Sequence, residues 1–248
     1  MYKNDPCFLE GTNGAAVLLM HGLTSGAAQM VPMARYLNDF GYTVRCVNLA
    51  GHGTYPEDLL HTTAEDLIAK AEYDYADLAS QYDRVFVGGV STGGLLGLYL
   101  AAQHPEIRGV VSISAPMWLV PGSFISRDYP PEQVWLDRPL GVKPGLFRKY
   151  HIHYEKIAVC IFDELRRLMD IVRDAALLER VTCPVLAVQA ADDDVADPES
   201  VDHIIEHIGS TCTPVRLETG GHLCLLNTGC YHVFSAARKF LDRCEFAG

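Results

Sequence analysis

Six short apolar runs recur along this chain, and longer segments with helical periodicity separate them. Each run is rich in Val, Ile or Leu and shows little polar alternation, as expected for a strand that is covered on both faces. The runs are residues 15–20, 43–48, 85–90, 109–114, 184–189 and 214–217. Because strands that alternate with helices form parallel sheets, the sequence predicts the α/β class, with a mostly parallel sheet and helices on both faces.

The separating segments carry signals for the start and end of helices. Thr63 is followed three residues later by Asp66, which is the capping-box pattern at the start of a helix. A second helix over residues 30–40 is expected to stop at Gly41, and a third spans residues 95–104. These helices lie between the predicted strands and support the alternating arrangement.

The region from residue 116 to 181 breaks this alternation. It contains no clear strand pattern, and prolines interrupt its first half. Its second half, residues 149–179, has apolar residues at helical spacing. We therefore predict a helical cap at residues 116–181, inserted in a core that consists of residues 1–115 and 182–248.

Charge and composition exclude several classes of function. The chain has 248 residues, of which 49% are hydrophobic, and a formal net charge of −11. Such a negative charge repels polyphosphates, so we expect no nucleic-acid binding. Ten of the 20 Lys and Arg residues lie between Pro116 and Arg180. The simplest explanation of this clustering is chance combined with solvated helix faces.

The start of the chain shows no secretory pattern. Residues 1–14 are polar, and the first apolar run is too short for a leader or a membrane span. The eight cysteines are interpreted as free thiols in a reducing cytoplasm. Cys224 and Cys230 lie near His222 and His232, but their spacing fits no metal-ligand pattern. We expect a cytoplasmic protein with no metal and no cofactor.

The motif with the most chemical content is Gly89-Val90-Ser91-Thr92-Gly93, between a predicted strand and a helix. In such a turn the glycines allow close backbone approach, and the serine hydroxyl projects outward. The Thr92 N–H is then aimed at an oxyanion. The five-residue pattern is weak by itself, because ordinary glycine-rich turns share it. The preceding strand and the following helix favour a nucleophilic serine at Ser91.

A serine hydroxyl needs a base to act as a nucleophile. His222 is the best candidate among the ten histidines, because it follows the last predicted strand in a glycine-rich loop; the alternative is a surface histidine. The orienting acid should lie between serine and histidine along the chain. Asp192, Asp193, Asp194 and Asp197 all occupy one turn there, so the residue pattern alone leaves its identity open.

Together these motifs resemble the α/β-hydrolase superfamily, in its bacterial carboxylesterase and monoacylglycerol-lipase branch. The resemblance runs over nearly the whole chain. It rests on His21-Gly22, Gly51-His52-Gly53, the turn around Ser91, Ser114-Ala115-Pro116-Met117, the stretch from Gln189 to Asp193, and Gly221-His222.

The resemblance implies a role for individual residues. Ser91 would be the nucleophile, His222 the base, and Asp193 the acid, because the acid of the family follows the matching Gln by four residues. The His-Gly step would supply the Leu23 N–H as a second oxyanion donor beside the Thr92 N–H, so Leu23 and Thr92 are the predicted substrate-binding residues. His21 and His52 would be structural. The Thr92 hydroxyl is expected to add a polar contact in the pocket.

The resemblance also implies the reaction. We expect cleavage of small-molecule carboxylic esters with short or medium acyl chains, through an acyl-enzyme on Ser91. A thioesterase, an amidase or a carbon–carbon hydrolase on the same fold is the alternative, since fold does not fix substrate. A non-catalytic binding protein is a further alternative. The natural ester and the oligomeric state stay open.

Apolar cap residues are expected to line a modest cleft above the serine. The alternative is that several of them form the interior of the cap itself. The candidates are Trp118, Leu119, Phe124, Trp135, Leu146, Phe147, Ile161 and Phe162.

Overall fold

The computed structural model describes residues 4–139 and 145–246. The described strands are β1 (Cys7–Leu9), β2 (Ala16–Met20), β3 (Thr43–Val47), β4 (Val85–Val90), β5 (Val110–Ile113), β6 (Trp135–Asp137), β7 (Lys156–Ala158), β8 (Val185–Ala190) and β9 (Cys212–Leu217). Seven of them form one sheet in the order β1-β3-β2-β4-β5-β8-β9. Only β1 runs antiparallel to its neighbour in this sheet. The six predicted strands and the mostly parallel α/β architecture are confirmed.

The α-helices connect these strands and cover the sheet. They are α1 (Val31–Asn38), α2 (Ala64–Ala79), α3 (Thr92–Gln103), α4 (Gly145–Tyr150), α5 (Ile161–Arg173), α6 (Ala175–Leu178), α7 (Ser200–His207) and α8 (Cys230–Phe246). The capping box predicted for α2 is present: the Asp66 N–H donates to Thr63 Oγ1 (3.1 Å), and the Thr63 N–H donates to Asp66 Oδ2 (3.0 Å). The α1 helix ends at Asn38, and Gly41 follows with a φ of 91° that favours glycine.

Burial on both faces explains why the strands show no polar alternation. Every residue of β2, β4 and β8 is buried. Successive side chains of a strand point to opposite faces. Accordingly, Leu18 belongs to the apolar cluster that includes Leu67 of α2, whereas Leu19 belongs to the cluster that includes Phe234 of α8.

The segment 116–181 contains α4, α5 and α6, but also the short antiparallel pair β6–β7, in which Trp135 lies opposite Ala158. The prediction that this segment holds no strand is therefore wrong. Each of these strands has only three residues, which are too few to show a periodic pattern in the sequence. The edge strand β1 was missed for the same reason.

The predicted helical pattern of the second half of this segment is confirmed in α5. Its buried face includes Leu165, Leu168 and Val172, which join the same apolar cluster as α2. Glu164 also contacts α2, because its Oε2 accepts a hydrogen bond from the N–H of Ala64, the first residue of that helix (2.9 Å). The segment is thus packed against helices of the sheet. No helix among the described residues is long and apolar enough to cross a bilayer.

Candidate active site

Ser91 stands at the sharp turn from β4 into α3. Its backbone has a φ of 55° and a ψ of −118°, a sparsely populated conformation that costs a non-glycine residue about 1–3 kcal/mol. Hydrogen bonds on both sides hold this turn: the Ser91 N–H donates to Ile113 O (2.8 Å), and the Leu95 N–H donates to Ser91 O (3.0 Å). The surrounding structure therefore enforces the strained position of the serine.

Two glycines allow this turn to press against the end of β2. A Cβ at either Gly89 or Gly93 would lie 2.1 Å from Met20 O, a distance that no side chain tolerates. The close approach also brings the loop after β2 beside the serine, since a Cβ on Gly22 would lie 3.3 Å from Ser91 Cβ. The glycine pattern of the motif is thus explained by backbone contact with β2.

His222 and Asp193 form a hydrogen-bonded pair. His222 Nδ1 lies 3.0 Å from Asp193 Oδ1 and 3.1 Å from Oδ2. The carboxylate also accepts hydrogen bonds from the backbone N–H groups of Val195 and Ala196 and from Gln189 Nε2, each at 2.9 Å. The Asp193 side chain is fully buried.

These partners keep Asp193 ionised. Burial by itself would raise the pKa of Asp193, but the hydrogen bond and charge of His222 outweigh it, together with the two backbone N–H groups. The net effect is a pKa below the usual value of an aspartate. A buried carboxylate in this state favours the tautomer of His222 that carries its proton on Nδ1.

The four acids of this turn have different partners. Asp193 is the one that contacts His222, whereas Asp192 Oδ1 accepts the Gly221 N–H (2.8 Å). Asp194 is exposed at the rim of the cavity described below. Asp197 accepts the Glu199 N–H (3.0 Å) in the turn before α7, which begins at Ser200.

Ser91 and His222 line the same cavity, which has a volume of about 290 Å³. Leu23 lines it as well and is 9% exposed. Neither the Leu23 N–H nor the Thr92 N–H donates a hydrogen bond to another described residue. The structure therefore brings together Ser91, His222, Asp193 and Leu23, the residues that sequence analysis selected far apart in the chain.

Thr92 differs from the expectation in one respect. Its side chain is fully buried, and its Oγ1 has no hydrogen-bond partner among the described residues. The side chain is not part of the cavity wall. The expected contact between the Thr92 hydroxyl and the pocket is therefore absent, and the Thr92 N–H stands at the start of α3 with no hydrogen-bond partner among the described residues.

Comparisons with known proteins agree with this geometry. The family described as "Serine aminopeptidase, S33" matches residues 11–143, and that described as "BAAT / Acyl-CoA thioester hydrolase C terminal" matches residues 78–224. A thermostable monoacylglycerol lipase of Bacillus sp. (strain H-257) is 35% identical over 90% of this chain and 88% of its own length. The chain belongs to the α/β-hydrolase superfamily, in the serine aminopeptidase S33 family.

Further relatives cover almost the whole chain of this α/β-hydrolase. A carboxylesterase of Bacillus subtilis (strain 168) is 28% identical over 93% of this chain and 94% of its own length. A solved structure from work on the metagenome-derived lipolytic enzymes LipS and LipT superimposes with a TM-score of 0.85 at 26% identity, covering 97% of this chain and 98% of that one. The predicted α/β-hydrolase fold and the predicted family are confirmed.

His21 and His52 of this hydrolase hold the loop that carries Leu23. The Leu49 N–H donates to His21 Nε2 (3.1 Å), and the Thr24 N–H donates to His52 Nε2 (2.9 Å). Both rings are buried, and burial lowers the pKa of each, that of His52 to about 4. The two histidines are therefore neutral and fix the loop through hydrogen bonds.

Few of the apolar residues that were selected from segment 116–181 reach the cavity. Phe124 and Phe147 line it, whereas Ile161 and Phe162 are fully buried in the apolar interior. Several lining residues were missed, among them Arg138, and Gln29, whose Oε1 accepts the Gly22 N–H (2.8 Å). No local pattern marks either residue, because both reach the cavity through tertiary packing. No group of three or more potential metal-ligating side chains was found among the described residues.

Proposed function

We propose that this α/β-hydrolase cleaves carboxylic esters by forming an acyl-enzyme on Ser91. The observation that carries the proposal is the arrangement of three side chains. Ser91 projects from a strained turn into the cavity that His222 also lines, and His222 is hydrogen-bonded to the buried Asp193. The monoacylglycerol lipase and the carboxylesterase that resemble this chain over most of its length support ester cleavage.

The mechanism follows from the roles of these groups. Ser91 Oγ attacks the ester carbonyl carbon while His222 Nε2 takes the hydroxyl proton. The carbonyl oxygen becomes an oxyanion, which the N–H groups of Leu23 and Thr92 stabilise. His222 then returns its proton to the departing alcohol, and an acyl-enzyme remains. A water molecule, deprotonated by His222, releases the acid and restores Ser91.

Asp193 acts in this scheme through His222. Its carboxylate accepts the Nδ1–H, which directs Nε2 toward the serine, and its charge favours the imidazolium that forms in each step. The low pKa of Asp193 keeps that charge in place at neutral pH. Gln189 and the backbone N–H groups of Val195 and Ala196 fix the carboxylate in position.

We further propose that segment 116–181 acts as a cap over a core of residues 1–115 and 182–248. Phe124, Ile125 and Phe147 of this segment line the cavity together with Ser91 and His222. A cavity of about 290 Å³ is at the small end of ligand pockets, which begin at roughly 300 Å³. This size supports small monoesters with short or medium acyl chains over triglycerides.

The eight cysteines support a reducing compartment, the cytoplasm, as the proposed location. All eight lie among the described residues and none is in a disulfide, including the exposed Cys160. Free thiols persist where the environment is reducing.

The proposal is tested by comparing the wild-type enzyme with Ser91→Ala on a panel of esters, thioesters and amides. We expect ester turnover in the wild type and its loss in the variant, with an unchanged melting temperature. More than a few per cent residual turnover in Ser91→Ala would place the nucleophile elsewhere. A preference for thioesters would indicate a thioesterase instead. The match to the acyl-CoA thioester hydrolase family is the reason to include thioesters in the panel.

A further inference from the structure

Arg138 is the only Lys or Arg among the described residues that line the cavity of Ser91 and His222. It directly follows β6 in the segment 116–181, where half of the 20 basic residues of the chain lie. The protein as a whole carries a net charge of −11. A positive side chain in the wall of this cavity would attract an anionic ligand.

Two contacts hold the Arg138 side chain in place. Its guanidinium lies over the Phe124 ring, with Cζ 4.8 Å from the ring centroid. Its Nη1 donates a hydrogen bond to Thr24 Oγ1 (3.1 Å), and Thr24 directly follows Leu23, which also lines the cavity. An arginine has five N–H donors. The contact with Thr24 therefore leaves donors available to a ligand.

No carboxylate of a described residue lies within ion-pair distance of this guanidinium. All Asp and Glu residues of the chain lie among the described residues, and none forms an ion pair with Arg138. Burial lowers the pKa of Arg138, although the guanidinium stays charged, and the charge of Asp194 opposes this effect. Asp194 is exposed and thus screened by water, so it compensates the charge only in part.

We propose that Arg138 binds an anionic group of the substrate, so that the preferred esters carry a free carboxylate or phosphate besides the ester that is cleaved. This proposal rests on the proposed ester hydrolysis at Ser91. A planar guanidinium binds carboxylate and phosphate oxygens through paired, charge-assisted hydrogen bonds, which are stronger in a half-buried site than in water. Binding would also supply the partner that the buried charge lacks.

A purely structural role for Arg138 makes a different prediction. The hydrogen bond to Thr24 joins segment 116–181 to the loop of Leu23, and its loss would impair the cleavage of every ester to the same extent. Substrate pairs that differ only in charge separate the two roles. The ratio of their kcat/KM values is insensitive to a uniform loss of activity.

The experiment uses two matched pairs, one for each side of the ester. Monoethyl adipate is compared with the ethyl ester of adipamic acid, in which a neutral amide replaces the carboxylate. Butyrylglycerol phosphate is compared with butyrylglycerol. We expect the wild type to prefer the anionic member of at least one pair by about tenfold or more, the typical value of a charge-assisted hydrogen bond. The pair that responds shows whether the anion belongs to the acyl or the alcohol part.

Three variants complete the test. Arg138→Gln keeps a donor for Thr24 but removes the charge, and should reduce the ratio of anionic to neutral kcat/KM by about tenfold. Thr24→Val removes the hydroxyl that Arg138 contacts and should leave this ratio high. Asp194→Asn removes the opposing charge at the rim and should raise it.

A ratio near one in the wild type for both pairs would overturn the inference, even if Arg138→Gln did not fold. An equal loss on both members of a pair in Arg138→Gln would also overturn it and leave the structural role. Failure of the proposed function itself looks different, because the neutral esters would then show no turnover that depends on Ser91.

Discussion

Ser91, directly after strand β4, and side chains of the segment 116–181 line the same cavity, but the two regions are held in place in different ways. All six residues of β4 are buried, and the strand pairs with β2 and β5 on its two sides. By contrast, none of the three residues of β6 is buried, and this strand pairs with β7. Backbone geometry positions Ser91, whereas side chains such as Arg138 and Phe124 shape what binds above it. The backbone thus constrains the position of Ser91 more tightly than it constrains the side chains that would determine substrate specificity.

The largest expected effect concerns the acid at the end of β8. Asp193→Asn should lower kcat by about 10⁴-fold, as does the amide replacement of the orienting acid in a serine protease, because the charge beside His222 is lost. Asp192→Asn and Asp194→Asn are matched controls from the same turn, and each should cost less than about tenfold, well short of the loss of a triad acid. Steady-state kinetics on one ester measures all three. A severe loss in Asp194→Asn with a mild one in Asp193→Asn would contradict the observed pairing.

A second prediction compares one glycine from each region. Gly89→Ala places a Cβ 2.1 Å from Met20 O, whereas a Cβ at Gly122 meets nothing within 4 Å. We expect Gly89→Ala to lower the free energy of unfolding by about 3 kcal/mol or more, or to prevent folding. Gly122→Ala should cost about 1–2 kcal/mol, from its φ of 80° alone. Urea unfolding gives both values, and equal losses would refute the contrast between the two regions.

A third prediction concerns the two buried histidines of the core. The pKa of His21 and His52 is lowered in the fold, that of His52 to about 4, but both should titrate near 6.5 in the unfolded chain. The unfolded state therefore binds more protons below about pH 6.5, and stability is lost as pH falls from there toward the folded pKa. We expect a loss of about 3 kcal/mol between about pH 7.5 and 5.5.

The control for this prediction is His52→Gln. Its side-chain oxygen can still accept the Thr24 N–H, but the residue cannot be protonated. The pH dependence of the unfolding free energy should then be about half as steep, since one of two titrating groups is gone. An unchanged slope would mean that other groups cause it.

The smallest expected effect concerns the cavity wall of segment 116–181. Nitrophenyl esters of short or medium acyl chains should have the highest kcat/KM, because the cavity of about 290 Å³ is small. Phe147→Ala widens the cavity and should shift the optimum toward longer chains. A maximum at very long chains in the wild type, with activation at an oil interface, would show that the cap forms a larger lipid-binding surface.

The sequence predicted the core well because its signals are local. A buried strand, a glycine-flanked serine and a histidine in a glycine-rich loop each follow from a few neighbouring residues. The choice of Asp193 needed the family resemblance, because three adjacent aspartates share one turn. The hydrogen bonds of the structure then distinguish them. Arg138 could not be predicted, because its position depends on tertiary contacts with Thr24 and Phe124. Thr24 is 114 residues away from Arg138 in the sequence.

The central claim is that Ser91 is the nucleophile of an acyl-enzyme. The most direct measurement is the intact mass of the enzyme after reaction with a fluorophosphonate, followed by peptide mapping. We predict one adduct per chain, located on Ser91, absent from Ser91→Ala and strongly slowed in Asp193→Asn. An adduct on another residue, or equal labelling of Ser91→Ala, would contradict the account.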